Sequence, residues 1–249
     1  LDGDLSGKGT FSQLVEQAIN KHALATNLKM EKLTEMNKSF KLMGKAKQRI
    51  ESELGGKWFD IDGVKLNDNY ARFGGKGGKL SFERMRAIIL HTGTADNYAK
   101  LKEGYGLTDG MVQKIASYFT AEELHSIQRD REILESMWEP MSEVYRQKHD
   151  KTPPKLEATP MTFTAKDGSI VTLKGGYAPI VYDRKAIAEQ GGKAIGQDEI
   201  SKEIDHDSHA AMFYTKSIGE GSFQARQQTT GWKPILLDYD GVLQRHIDW

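Results

Sequence analysis

A pair of histidines among acidic residues is the first feature of this sequence that suggests chemistry. Asp205-His206-Asp207-Ser208-His209 places two imidazoles three residues apart beside carboxylates, which together supply part of a metal site. No third ligand accompanies them at a defined spacing. Because short His/Asp clusters often occur by chance, the sequence favours a solvated polar turn, and metal binding by His206 and His209 is the alternative.

A second candidate is a pair of aspartates, Asp238 and Asp240, that follows the short apolar run Ile235–Leu237. The stretch Asp-Tyr-Asp-Gly resembles the first motif of haloacid-dehalogenase-type phosphatases. That resemblance implies a nucleophilic Asp238, an acid/base Asp240 and a bound magnesium ion. The motif needs a buried parallel strand, and no alternation of strands and helices surrounds it here. We therefore predict that Asp238 is a helix N-cap, with Asp240 in the first helical turn.

The most distinctive stretch is Gly175-Gly176-Tyr177-Ala178-Pro179-Ile180-Val181-Tyr182-Asp183, which we call the Gly-Gly-Tyr box. Its two glycines permit positive φ, and Pro179 fixes its own φ and biases Ala178 toward an extended conformation. Tyr177 and Tyr182 bracket the turn, and we expect both side chains to be largely buried. These features predict a structural motif formed by Gly175, Gly176, Tyr177, Pro179, Tyr182 and Asp183.

Composition narrows the range of functions. The chain has 35 Lys+Arg and 35 Asp+Glu, so its net charge of zero creates no overall attraction to nucleic acid or to an anionic membrane. The lack of cysteine excludes disulfides, thiolate zinc sites and Cys nucleophiles. No apolar run approaches the length of a membrane span. We recognise no catalytic signature, and we assign no catalytic residue, metal or cofactor.

Basic residues are frequent between Arg129 and Lys155, but four glutamates are interspersed among them. The mixture favours a solvated helix surface over a DNA-binding stripe, and nonspecific contact with DNA is kept as an alternative. The basic residues concerned are Arg129, Arg131, Arg146, Lys148, Lys151 and Lys155.

The elements that must position these residues are mostly helices. Thr10, Ser81 and Thr108 each precede a helical pattern of apolar residues and are predicted N-caps. A second N-terminal helix, better marked than the first, spans 33–54. The stretch 58–66 predicts a small hairpin with an Asp-Gly turn.

The helix expected to organise the fold runs from Thr120 to His149. Thr120 and Glu123 have the spacing of a capping box at its start. Pro140 lies inside the apolar pattern and is expected to kink or split the helix near Trp138.

The fold class predicted from these patterns is α+β and predominantly α-helical. A small antiparallel β-hairpin, residues 161–174, turns at Asp167-Gly168 and packs on the long kinked helix. The expected domain organisation is an N-terminal helical portion, 1–56, followed by a main helical domain, 57–249. We interpret the whole as an excised part of a longer chain.

Several stretches in a fixed order carry a family resemblance. They are 91–101, 120–123 with 137–141, the Gly-Gly-Tyr box with the hairpin before it, 223–226, 234–237 and His246. This set is similar to segments of very large multidomain phage and prophage proteins, which include internal virion proteins and polyvalent proteins co-injected with DNA. The Gly-Gly-Tyr box is its most specific part.

The resemblance implies a non-catalytic structural or scaffolding segment of a giant virion-associated protein. The implied partners are other segments of the same large protein or other virion proteins. The implied location is the virion interior, and then the host cytoplasm after delivery with DNA. The alternative is a magnesium- or metal-dependent phosphohydrolase-like enzyme that uses Asp238 and Asp240, or His206 and His209.

Overall fold

The structure, a computed structural model, describes residues 10–71, 76–152 and 155–180, together with Leu237, Tyr239, Asp240 and Leu243. Its helices are α1 (Thr10–Glu53), α2 (Phe82–His91), α3 (Ala95–Tyr105), α4 (Asp109–Ala116), α5 (Ala121–Ser136) and α6 (Trp138–His149). A 3-10 helix, Lys76–Gly78, precedes α2, and strands β1 (Met161–Thr164) and β2 (Ile170–Leu173) follow α6. The described residues are therefore predominantly α-helical with a small antiparallel hairpin, as predicted.

α1 is a single helix of 44 residues, about 66 Å long at the usual rise per residue. The prediction of two helices in this region is wrong, because neither glycine nor proline interrupts the sequence before Gly44. The described side chains from Ile19 to Met30 are mostly exposed, whereas Met36 and Ile50 in the second half of the helix are buried. The second half of α1 therefore lies in the same core as α2 and α5.

Side-chain caps begin α2, α4 and α5 at positions that the sequence predicted, whereas Thr10, also predicted as a cap, is the first helical residue of α1. The Ser81 hydroxyl accepts a hydrogen bond from the third backbone N–H of α2, and Thr108 does the same in α4. Thr120 and Glu123 form the predicted capping box at the start of α5. α5 packs against α1, α2 and β2, so it occupies the centre of the described structure.

The predicted break in the long helix lies at Met137, between α5 and α6. Pro140 falls in the first turn of α6. Backbone N–H groups in the first turn have no partner within the helix, so the proline removes no helical hydrogen bond. After α6, β1 and β2 pair antiparallel with Phe163 opposite Val171. Both side chains are buried, and β2 packs on α5.

The hairpin predicted at 58–66 is not formed. Phe59 pairs instead with Leu80 in an isolated antiparallel bridge. Leu80 lies in the segment just before α2, so the partner is not the local strand that the turn predicted. The Asp62-Gly63 turn is present, with Gly63 at φ 78°, but no strand follows it. Local turn chemistry was thus predicted correctly, and the strand pairing was wrong.

None of the helices in the described residues is both long enough and apolar enough to cross a membrane, which agrees with the sequence prediction.

Candidate functional site

The Gly-Gly-Tyr box binds the corner between α2 and α3. Gly93 lies in that corner, and its carbonyl oxygen accepts hydrogen bonds from Thr159 N at 2.9 Å and from Gly176 N at 2.8 Å. Asn97 of α3 donates from Nδ2 to Ala178 O over 3.0 Å. A Cβ on Gly93 would lie 2.5 Å from Gly176 O, so only glycine permits this approach of the two backbones.

Gln128 of α5 holds the box from the other side. Its Nε2 donates to Gly175 O over 2.9 Å, and its Oε1 accepts from Gly175 N over 3.2 Å. Gly175 has φ 84°, and a Cβ there would lie 2.7 Å from Gly93 O. Backbone conformation and close packing therefore both require glycine at this position.

The described part of the box supports a structural motif. Four of its predicted residues are described: Gly175, Gly176, Tyr177 and Pro179. Three of these are buried, but Tyr177 is only half-buried at the edge of the core, less than the sequence predicted. Tyr182 and Asp183 lie outside the described residues.

Arg131, fully buried in α5, caps the C-terminal end of α2. Its Nε and Nη2 donate to Leu90 O over 3.1 and 2.9 Å, and Nη2 also donates to Ile89 O and to Thr92 Oγ1. The carbonyls at the end of a helix have no partner within that helix, and Arg131 adds a charged donor to two that also accept backbone bonds from Thr92 N and Gly93 N. Burial lowers the pKa of Arg131 to about 10, so the side chain stays cationic at neutral pH. A cation at the C-terminal end of a helix also interacts favourably with the helix dipole.

A second buried cluster joins α1, α2 and α5 to the segment that contains Tyr239. We call it the Asp130 cluster, and it consists of Ser39, Arg86, Ser126, Asp130 and Tyr239. Tyr239 OH donates to Asp130 Oδ2, and Ser39 Oγ donates to the same oxygen over 3.1 Å. The Arg86 guanidinium lies 3.7 Å from the centre of the Tyr239 ring, within range of a cation–π interaction.

Burial dominates the electrostatics of the Asp130 cluster. It raises the pKa of Asp130 to about 6, although Tyr239, Arg86 and Ser39 all favour the ionised form. Arg86 Nη2 lies 3.9 Å from Asp130 Oδ2, too far for a hydrogen bond. Asp130 Oδ1 and Arg86 Nε have no hydrogen-bond partner among the residues that the structure describes. A buried ion pair with unsatisfied atoms is costly, so this cluster orients the elements at some expense of stability.

Of the residues predicted for phosphate or metal chemistry, Asp240 is described. Its Oδ1 lies 2.9 Å from Arg86 Nη1, so its carboxylate forms an ion pair beside the Asp130 cluster. The described residues contain no group of three or more His, Cys, Asp or Glu side chains that could hold a metal ion. Asp238, His206 and His209 lie outside the described residues, and their roles stay predictions.

The basic residues between 129 and 155 do not form a common stripe in the described part of the chain. Arg131 is buried in the cap of α2, and Arg146 pairs with Glu139 and Glu143. Lys155 lies 5.3 Å from the centre of the Trp138 ring. The structure thus agrees with the predicted mixed-charge surface in this region.

A groove of about 540 Å³ lies between α1 and α5. Its walls carry both signs of charge, from the side chains of Lys32, Glu35, Lys38, Glu122, Arg129 and Glu132. Ser39 of the Asp130 cluster also contributes to the lining. Since the charges offset one another, the groove favours neither an anion nor a cation.

No protein-family model, no curated protein and no solved structure matches this chain.

The buried charged residues were not predicted from the sequence. Arg86, Asp130 and Arg131 lie in amphipathic helices, where a charged residue ordinarily marks the solvated face. A signal was nevertheless present, because these positions fall among the apolar residues of α2 and α5 rather than opposite them. Helical spacing alone would have placed them toward the core.

Proposed function

We propose that this chain is a non-catalytic structural segment of a large phage or prophage protein. The segment packs against other parts of that protein or against other virion proteins inside the virion, and it enters the host cytoplasm together with DNA. The phage assignment rests on the resemblance of the Gly-Gly-Tyr box and the motifs around it. The structural role rests on the position of the buried polar side chains.

Those side chains join elements that are distant in the sequence. Gln128 holds the Gly-Gly-Tyr box on α5, Arg131 fixes α5 to α2, and Asp130 connects α5 to α1 and to Tyr239. A catalytic group must reach its substrate, but Asp130 and Arg131 are at most 1% exposed. Their contacts are those expected of residues that orient packed elements.

Analysis of purified particles tests the virion role. Protease cannot reach the interior of an intact particle, so virions treated with protease and nuclease should retain peptides of this chain. The major capsid protein is the positive control, and a replication enzyme of the same phage is the negative control. Peptides present in the infected-cell lysate but missing from treated particles would refute the proposal.

A phosphatase assay distinguishes the structural role from the enzyme alternative. The Asp240–Arg86 ion pair does not favour the enzyme, because the guanidinium competes with a metal ion for the carboxylate. We expect no magnesium-dependent hydrolysis of p-nitrophenyl phosphate above the level of a buffer control. Hydrolysis that is abolished by Asp238→Asn would replace the structural proposal with the phosphohydrolase.

A further inference from the structure

We propose that one exposed face of α1 binds the phosphate backbone of double-stranded nucleic acid. We call this face the lysine stripe, and it consists of Asn37, Lys38, Lys41, Gly44, Lys45 and Gln48. All six residues are exposed. The proposal goes beyond the structural role and does not depend on it.

The lysine stripe carries three positive charges with no acidic residue among them, and, of the described residues, acidic side chains approach it only at Lys38, which borders the groove lined by Glu35, Glu122 and Glu132. No acidic residue occurs between Met36 and Ile50. Within the described part of the chain, Lys38, Lys41 and Lys45 form no ion pair. Spacings of three and four residues place these lysines on one side of the helix, along about 10 Å of its length.

The other basic residues of this half of α1 have partners. Lys47 pairs with Glu83 of α2, and Arg49 pairs with Glu53 and Glu123. Those two residues attach α1 to the body of the protein, whereas the lysine stripe faces solvent. Lys47 and Arg49 therefore stabilise the fold, whereas Lys38, Lys41 and Lys45 are available to bind a partner.

Gly44 leaves a gap in the lysine stripe. Glycine is among the least favourable residues inside an α-helix. Nothing lies within 4 Å of the point that a Cβ would occupy here, so packing within the described residues does not require glycine. Gly44 follows Lys41 by one turn and precedes Gln48 by one turn, so the missing side chain permits a phosphate backbone to approach the helix closely.

The chemistry of the stripe favours a nucleic acid over a membrane surface. A helix that lies on a membrane exposes apolar residues that enter the lipid beside its lysines. In this half of α1 the apolar residues Met36, Met43 and Ile50 are buried in the core, so they cannot enter lipid. A duplex presents a dense row of phosphates that lysines bind as point charges without apolar contact.

Fluorescence anisotropy with a labelled DNA duplex of about 25 base pairs and mixed sequence tests the proposal. The whole chain is compared with the triple variant Lys38→Gln, Lys41→Gln, Lys45→Gln at roughly 50 to 200 mM salt. The matched control is Lys65→Gln, Lys114→Gln, Lys151→Gln, which changes the net charge equally at exposed lysines elsewhere. We expect the stripe variant to bind about tenfold more weakly than the control, with a slope of log K against log salt shallower by about 3.

A single substitution tests the gap. Gly44→Gln should keep or raise the melting temperature, because glutamine favours the helix, and it should weaken duplex binding several-fold. An unchanged affinity for Gly44→Gln would show that the gap is not used and would overturn that part of the proposal.

Three other outcomes would overturn the lysine stripe as a duplex-binding surface. The first is no binding of the duplex by the unmodified chain at low salt, and the second is an equal loss of binding in both triple variants. The third is binding to phosphatidylserine-containing vesicles without binding to the duplex, which would assign the stripe to a membrane surface. None of these outcomes affects the particle analysis, so the two proposals fail independently.

Discussion

Asp130 is a carboxyl group that the folded protein holds in an unfavourable environment. Its pKa of about 6 in the folded chain compares with an ordinary value of 3.8, and burial is the main cause. At a pH between these two values, Asp130 is mostly protonated in the folded state and mostly ionised in the unfolded state. The stabilisation from Asp130 is therefore complete below the ordinary value and is lost as the pH rises through about 6. Two pKa units correspond to about 3 kcal/mol of unfolding free energy.

The pH dependence of stability should reveal this residue through Asp130→Asn, which keeps the shape and removes the titration. Relative to the variant, the wild-type chain should become less stable as the pH rises from about 4 to about 7. The other charged groups around the site, Arg86, Asp240 and Glu83, are present in both proteins. Urea denaturation at several pH values gives the difference in unfolding free energy between the two proteins. If their unfolding free energies changed with pH in parallel, the assigned pKa would be contradicted.

Gly175 should be the least replaceable residue of the Gly-Gly-Tyr box. Gly175→Ala combines an unfavourable positive φ with a collision against the backbone of Gly93 and Thr159. We expect it to lower the free energy of unfolding by about 3 kcal/mol. Gly168→Ala is the matched control, since Gly168 also has positive φ, at 82°, but nothing lies within 4 Å of its Cβ position. Equal losses would mean that backbone strain, rather than close packing, explains the glycine.

At the scale of elements, Arg131 determines how α5 meets α2. Arg131→Met keeps much of the side chain's volume but leaves the carbonyls of Ile89 and Leu90 without this donor. We expect a loss of about 3 kcal/mol in denaturant unfolding, the range for buried hydrogen bonds to a charged group. Arg129→Met changes an exposed arginine of the same helix and should stay within about 0.5 kcal/mol of wild type. Similar effects of the two substitutions would show that Arg131 does not cap α2.

Elements that depend on neighbouring residues were predictable from the sequence. The capping box of Thr120 and Glu123 and the turn at Asp167-Gly168 need only residues within a few positions, and both form as predicted. The pairing of Phe59 with Leu80 was missed because the partner lies beyond an intervening segment. The continuity of α1 was missed because a largely polar stretch separates the apolar pattern that follows Thr10 from the one that begins at Leu33.

The candidate site was less predictable than the fold. The Gly-Gly-Tyr box could be recognised, because glycines and a proline in succession restrict the backbone by themselves. Its partners Gly93 and Gln128 could not, since a contact between distant segments leaves no local pattern in either of them. The lysine stripe was also missed, because net charge averaged over the chain conceals a local excess on one helix face.

At the scale of the whole molecule, the described part of the first half of α1, from Ile19 on, lies outside the core. Its described side chains up to Met30 are mostly exposed, and Met36 is the first core residue among the described side chains of the helix. Deletion of residues 1–30 should therefore change the unfolding free energy by less than about 1 kcal/mol, while the helical circular dichroism signal decreases.

A longer deletion, residues 1–42, is the control for that truncation. It removes Met36 and Ser39 from the core and from the Asp130 cluster, and it should abolish cooperative urea unfolding. If the shorter deletion also abolished the cooperative transition, the first half of α1 would have to stabilise the protein by contacts beyond those described.

The contacts of the Gly-Gly-Tyr box also have a consequence for folding kinetics. Asn97 and Ala178 are 81 residues apart, and Gln128 and Gly175 are 47 apart, so each contact closes a long loop with a high entropic cost. Contacts with this entropic cost generally form after local helices, and we expect those of the box to form after the rate-limiting step. In stopped-flow experiments Gly175→Ala should then accelerate unfolding and leave the folding rate nearly unchanged, and a folding rate that fell in proportion to stability would contradict this order. The box would thus set how long the native state persists rather than how quickly it is reached.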